Sequence, residues 1–231
     1  MSSNILVYLM SALFLAVLVA VLSFLRANHI AQKEAQLKAD QTMRQRCERL
    51  VKLIQIIPER YLDHSIRLSV LDYSINGYSY LNGKYSHSEQ TILLKEALRY
   101  REELADQEAR ASREKVVSEK QLLEIQNAQQ ALVAFLKWQL RHQVIDNATT
   151  KIYIDQIRYR YALANIDFLI YQANSLEEQE KRAKALEKYR TALAEVDKMH
   201  MWGDCQALEK QLKTAIESLE QQLLLLRNAA K

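Results

Sequence analysis

The stretch from Asn4 to Leu25 carries no charge, no Pro and no Gly, and its only polar side chains are Asn4, Tyr8, Ser11 and Ser23. As a helix, Ile5–Leu25 would be about 31 Å long at about 1.5 Å per residue. That length matches a hydrocarbon core of roughly 30 Å. Arg26 ends the stretch, and no second one of its kind occurs. The expectation is one membrane crossing, with residues 1–25 as a transmembrane anchor. A cleaved signal peptide would have a basic leader, a shorter apolar core and a small-residue exit, and this stretch has none of them.

Gly occurs three times and Pro once in 231 residues. That scarcity removes most of the turn chemistry a sheet needs. The expected fold class is all-α: a single N-terminal transmembrane helix, a long-helix stalk, and an antiparallel helical bundle or coiled-coil body. The expected division is 1–25 anchor, 26–57 basic juxtamembrane stalk, 58–87 short helix and Tyr/Asn-Gly loop, 88–145 long charged helix, and 146–231 three-helix array.

The net charge of +4 lies wholly after the apolar stretch. Residues 26–67 hold nine basic and five acidic side chains, whereas 68–231 hold 23 of each sign. Basic residues within about 15–20 positions of a span set its orientation. Arg26, Lys33, Lys38 and Arg44 occupy that zone, so the expected topology is N-terminus out and body in the cytoplasm, at a bacterial inner membrane. The same four residues are candidates for contact with anionic head groups. A neutral body argues against nucleic acid as a partner. Cys47 and Cys205, the only cysteines, suit a reducing compartment.

Along the chain, apolar residues recur at helical spacing from Leu37 to Ile57 and strengthen towards Pro58. A second short helix is expected over 59–75. The run DYSINGYSYLNGKYSH that follows holds Asn76-Gly77, Asn82-Gly83 and four tyrosines. Asn-Gly is a strong hairpin signal, so a tyrosine-lined loop is expected there. Ser86 with Glu89 offers a capping box to restart the helix. From Ser88 to Ile145 no Gly or Pro intervenes, and Arg99–Lys120 is dense in mixed charge. Asp146 to Thr150 has N-cap chemistry, Ser175 with Glu178 suggests another capping box, and Gly203-Asp204 reads as a stop and cap. Cys205, Leu208, Leu212, Ala215, Leu219, Gln222 and Leu226 then form a short heptad seam.

Lys184–Lys198 (KALEKYRTALAEVDK) is similar to the second helix of a tetratricopeptide repeat over about 15 residues. The preceding helix lacks the Trp and Leu-Gly signature, and no 34-residue period recurs. The layout of short leader, anchor and helical stalk is similar to the peripheral-stalk subunit of ATP synthases. The expected loop and the compact C-terminal half depart from that pattern.

No Gly-rich phosphate loop, H-E-x-x-H or C-x-x-C motif occurs. His200 and Cys205 straddle Gly203, but a closed zinc site needs four ligands. No catalytic residue, metal or cofactor is expected. Loops on rigid scaffolds often carry binding residues, which makes Tyr78, Tyr80 and Tyr85 candidate partner contacts, together with Arg99, Arg101, Arg110 and Arg113 of the charged strip. The expected partners are the lipid bilayer and other proteins, a second copy of this chain included. The expected function is a membrane-anchored, non-enzymatic scaffold or adaptor. The alternative is a structural subunit of a larger secretion or envelope complex.

Overall fold

The computed structural model describes the backbone of residues 2–85, 88–107 and 114–229, and the side chains of 22–85, 89–104 and 114–228. Among the described residues the chain is all-α: α1 (Ser2–Ile56), α2 (His64–Lys84), α3 (Ser88–Gln107), α4 (Glu119–Arg141), α5 (Asn147–Glu178), α6 (Arg182–Met199) and α7 (Gln206–Ala229), with one 3-10 turn at Glu59–Tyr61. No described residue is in a strand. Two compact units emerge, 1–46 and 47–231. The first is the greater part of α1. Among the described residues no helix is long and apolar enough to cross a membrane. The apolar stretch from Asn4 to Leu25 lies for the most part outside the described side chains.

The second unit begins with the last turns of α1, where Cys47, Leu50 and Ile54 are buried. Pro58 has no N–H to continue a helix, and α1 stops at Ile56. Its orphan carbonyls are met by Arg67 of α2, whose Nη1 and Nη2 donate to the oxygens of Ile54 (2.6 Å) and Ile57 (2.5 Å). This buried guanidinium is thus a cation at a helix C-terminus, where the dipole favours one. Burial pulls its pKa below the usual arginine value.

The loop expected at 73–85 is helix instead. α2 runs on to Lys84, through both Asn-Gly pairs. Glycine inside a helix costs about 1 kcal/mol relative to alanine. The buried stripe Ile66, Val70, Ser74, Gly77, Tyr78 and Leu81 recurs every three or four residues and outweighs that cost. Asp63 caps the start, accepting from Ser65 N at 3.0 Å. α3 packs antiparallel on α2, with Thr91 donating to Asn82 (2.7 Å) near the turn and Arg101 paired with Asp72 (2.7 Å) further along.

The long charged helix expected over 88–145, whose continuity the sequence left open, is two helices. α3 ends at Gln107 and α4 starts at Glu119. Residues 114–117 are neither helix nor strand. Ser118 caps α4 by accepting from Gln121 N (3.2 Å), and Gln121 Oε1 accepts in turn from Val117 N (3.1 Å). Val116 is buried and donates its N–H to Tyr61 Oη at 3.0 Å. That Tyr61 belongs to a cluster around a buried charge. Asp167 of α5 is 1% exposed and accepts from Arg60 Nε (2.6 Å), Arg60 Nη2 (3.0 Å) and Tyr61 Oη (2.8 Å). The Asp167 bond raises the Arg60 pKa, and burial followed by the Asp167 charge raises that of Tyr61.

The C-terminal array forms as three helices. α4, α5, α6 and α7 pack successively antiparallel: Tyr159 near the start of α5 donates to Asp204 O beyond the end of α6 (2.9 Å), and Arg190 of α6 reaches Glu220 of α7 (2.7 Å). Asp146 caps α5, accepting from Thr149 N at 2.8 Å. The capping box expected at Ser175 is not a helix start, because α5 runs through it to Glu178. α4 and α5 both end in Schellman motifs. Val144 N donates to Gln139 O and Gln143 N to Leu140 O; Lys181 N donates to Leu176 O and Glu180 N to Glu177 O. The left-handed residue in each is not glycine but Gln143 and Glu180, both at φ 58°.

Two predictions follow from these contacts. Asp167→Ala leaves a guanidinium and a phenol without their acceptor. Because the Arg60 side chain is 28% exposed and can reach water, the loss is set at the low end for a broken buried pair, about 3 kcal/mol. Thermal melting followed by circular dichroism measures it. Glu180→Gly removes the Cβ penalty of the left-handed region and should stabilise by about 0.5 kcal/mol; the same melting experiment checks the sign.

Candidate functional site

The described residues expected to contact partners differ in exposure. Tyr78 is buried in the core face of α2, whereas Tyr80 is 54% exposed on the same helix. Tyr85 is half-buried at the C-cap of α2, and Lys84 Nζ stands over the rings of Tyr80 and Tyr85 at 5.8 and 5.3 Å. Arg99 pairs with Glu103 at 3.1 Å and Arg101 with Asp72, both in the open. Arg110 and Arg113 lie outside the described residues. Of the basic stalk, Arg26, Lys33 and Lys38 are exposed and Arg44 is half-buried.

The antiparallel stacking creates something the sequence did not announce. α4 and α6 both pack on α5, leaving a cleft of about 390 Å³ between them. Its floor is a stripe of α5 from Ile157 through Tyr161 and Ala162 to Asn165. The eight residue steps from Ile157 to Asn165 make that floor about 12 Å long. α4 supplies Gln129, Gln130 and Val133, and α6 supplies Glu195 and Lys198, with Trp202 beyond its end. Lys198 is paired with Glu195 (2.6 Å) and Arg158 with Asp155 (3.1 Å), so the charges at the mouth are largely matched. Gln129 is fully buried; its Nε2 donates to Tyr61 O at 2.8 Å, and its Oε1 has no hydrogen-bond partner among the described residues.

A second cleft, of about 490 Å³, opens between α2, the end of α4 and the start of α5. It is lined by Ser65, Ser69, Asp72, Asn76 and Tyr153. Tyr73 at its edge packs edge-on against Phe135 and Trp138, at 5.0 and 6.0 Å between centroids.

One cluster has the outline of a catalytic triad. Cys205 Sγ lies 3.3 Å from His200 Nδ1, and His200 Nε2 lies 3.1 Å from Glu209 Oε2. A nucleophilic thiolate needs access and a lowered pKa. Cys205 is 3% exposed, and burial together with the charges of Glu209, Asp204 and Asp197 pushes its pKa up. The imidazole turns one nitrogen to each neighbour, so the three groups cannot converge on one ion, and no group of three His, Cys, Asp or Glu among the described residues could hold a metal. The row fastens the α6–α7 turn. Glu209 is held below the usual glutamate range by Lys213 and then His200. Tyr159 closes the same turn from α5: a Cβ on Gly203 would sit 2.9 Å from its ring.

The buried, pKa-raised thiol gives a direct test. In the folded chain a thiol reagent at pH 8 should modify neither Cys47 nor Cys205, both buried, and should modify both in denaturant. Fast labelling of Cys205 in the folded chain would restore it as a nucleophile candidate. The chain matches no protein-family model, no curated protein and no solved structure.

Proposed function

We propose that this chain is a single-pass, membrane-anchored scaffold without enzymatic activity, whose helical body gathers partner proteins on the cytoplasmic side of a bacterial inner membrane. The observation that carries this reading is α1. It is one helix of 55 residues that begins in the uncharged stretch and continues through the basic zone. The uncharged part of it from Ile5 to Leu25, about 31 Å long, suits a bilayer core, and the basic residues that follow favour a cytoplasmic body. At 100° per residue, Arg26, Lys33 and Arg44 fall within about 20° of one stripe of α1, with Lys38 to the side. On a helix that continues out of the span, only the first of these, Arg26, stays close to anionic head groups, at about 1 kcal/mol per basic residue near the surface.

The body supports recruitment rather than chemistry. Among the described residues, the thiol of the Cys205–His200–Glu209 row is buried at a turn, while Tyr80, Arg99, Arg101 and, near the end of α7, Leu224, Leu225 and Leu226 are exposed. Aromatic and arginine side chains contribute strongly at protein interfaces.

Topology tests the reading first. Ser218 is exposed on α7, so Ser218→Cys in a Cys47→Ser, Cys205→Ser background reports the body's side to a membrane-impermeant thiol reagent. Labelling only after permeabilisation is expected. Labelling in intact cells would place the body outside and favour a strut of an envelope or secretion machine. Cross-linking followed by detergent purification should also bring partners down with the chain, and repeated isolation of the chain alone would overturn the scaffold reading.

A further inference from the structure

The end of α7 leaves an apolar surface uncovered beside the start of α6. Leu223, Leu224, Leu225 and Leu226 follow one another there, and at about 100° per residue they point to all sides of the helix. A helical turn that is apolar all round is ordinarily enclosed. α7 packs chiefly on α6, which leaves Leu223 half-buried and Leu224, Leu225 and Leu226 58%, 69% and 50% exposed. A groove of about 380 Å³ opens between Leu223 and Leu226 on one side and residues 180–184 on the other.

The rim of this groove is basic. Lys181, Arg182 and Lys184 line it with a single acid, Glu180, and Arg227 stands within about 40° of Leu223 around α7. Lys181 Nζ donates to Gln179 Oε1 at 2.8 Å, and none of the four cations is in an ion pair among the described residues. Three of them occupy the N-cap and first turn of α6, which holds no acid and has no side-chain cap. The helix dipole disfavours cations at that end, so the stability of α6 does not account for them. Local rules of this kind are broken where something else is gained.

The occupant must therefore suit both the leucines and the cations. A flat bilayer surface does not enter a concave groove. A second copy would bring the same four cations to an isologous contact, where they repel. An amphipathic helix with acidic flanks fills the groove with its apolar face and meets the rim with its charges. We propose that the groove between the start of α6 and the end of α7 docks such a helix from a partner protein, with its apolar side chains against Leu223 and Leu226 and its Asp or Glu against Lys181, Arg182, Lys184 and Arg227. This names the chemistry of a partner and so rests on the scaffold reading.

The test uses the full chain held in nanodiscs of neutral phosphatidylcholine. A fluorescein-labelled amphipathic peptide, with Leu on one face and Glu on the other, is titrated and its anisotropy followed. The control peptide has Lys in place of Glu. One variant reverses the rim, Lys181→Glu with Arg182→Glu and Lys184→Glu, and acids there suit a helix start. The other, Leu226→Gln, alters the groove at an exposed leucine. Circular dichroism establishes the folding of each, and Leu226→Gln keeps the test decisive if the rim-reversed variant does not fold. Saturable binding of the Glu peptide is expected, weakened about tenfold by either variant and weakened by raised salt. The rim-reversed variant should prefer the Lys peptide. Absence of saturable binding, equal affinity for the two peptides, or undiminished affinity in a folded variant would each overturn the proposal. In place of peptide binding, attachment to phosphatidylglycerol vesicles that the rim-reversed variant loses would assign the patch to lipid, and self-association that Leu226→Gln loses would assign it to a second copy; either overturns the proposal. The peptide measurement needs no cellular partner, so its failure leaves the scaffold reading to its own cross-linking test.

Discussion

A carboxylate buried on the central helix of the body governs how the rest assembles. Asp167 is removed from water, a cost repaid only when its oxygens are fully hydrogen-bonded. Arg60 and Tyr61, more than 100 residues earlier, meet that need. Tyr61 then accepts the Val116 N–H and offers its carbonyl to Gln129, while the carbonyl of Arg60 takes Arg160 Nη1. One charge thereby ties the 3-10 turn, the segment before α4, α4 itself and α5 to a common point. Where α4 lies on α5, and hence the width of the cleft beside α6, depends on that point.

The connections show how such a body forms from a chain with three glycines. α4 and α5 stop by Schellman hydrogen bonds at Gln143 and Glu180, where the left-handed conformation costs energy. The packing of α5 between α4 and α6 compensates. Gly203, where a Cβ would meet the ring of Tyr159 at 2.9 Å, lies where α6 turns back towards α7. The His200, Cys205 and Glu209 row holds the same turn. Close approach and hydrogen bonding at one corner account for groups that in isolation resemble chemistry.

The all-α class, the uncharged stretch, the stop at Pro58, the cap at Asp146 and the α6–α7 turn at Gly203-Asp204 were legible because each rests on local chemistry: lost N–H groups, side-chain acceptors, or length of apolar run. The errors share one cause. Asn76-Gly77 and Asn82-Gly83 signal a turn locally, yet burial of Tyr78 and Leu81 keeps α2 helical through both. Ser175 with Glu178 has the right spacing for a cap, but Tyr189 of α6 bonds Asn174 and Glu177 on either side of it, within α5. The break before Ser118 carried only a weak signal, since it is secured by Val116 reaching a tyrosine 55 residues away.

The sequence by itself determined that this chain is helical, uncharged near its N-terminus and basic next to that stretch, because these follow from composition and from interactions within a few residues. Which tyrosines are core and which are surface, where the long charged segment breaks, and the cleft with its buried Gln129 were decided only by tertiary structure. They depend on contacts between segments from 55 to 107 residues apart, and no local pattern encodes the partner a side chain meets at that separation.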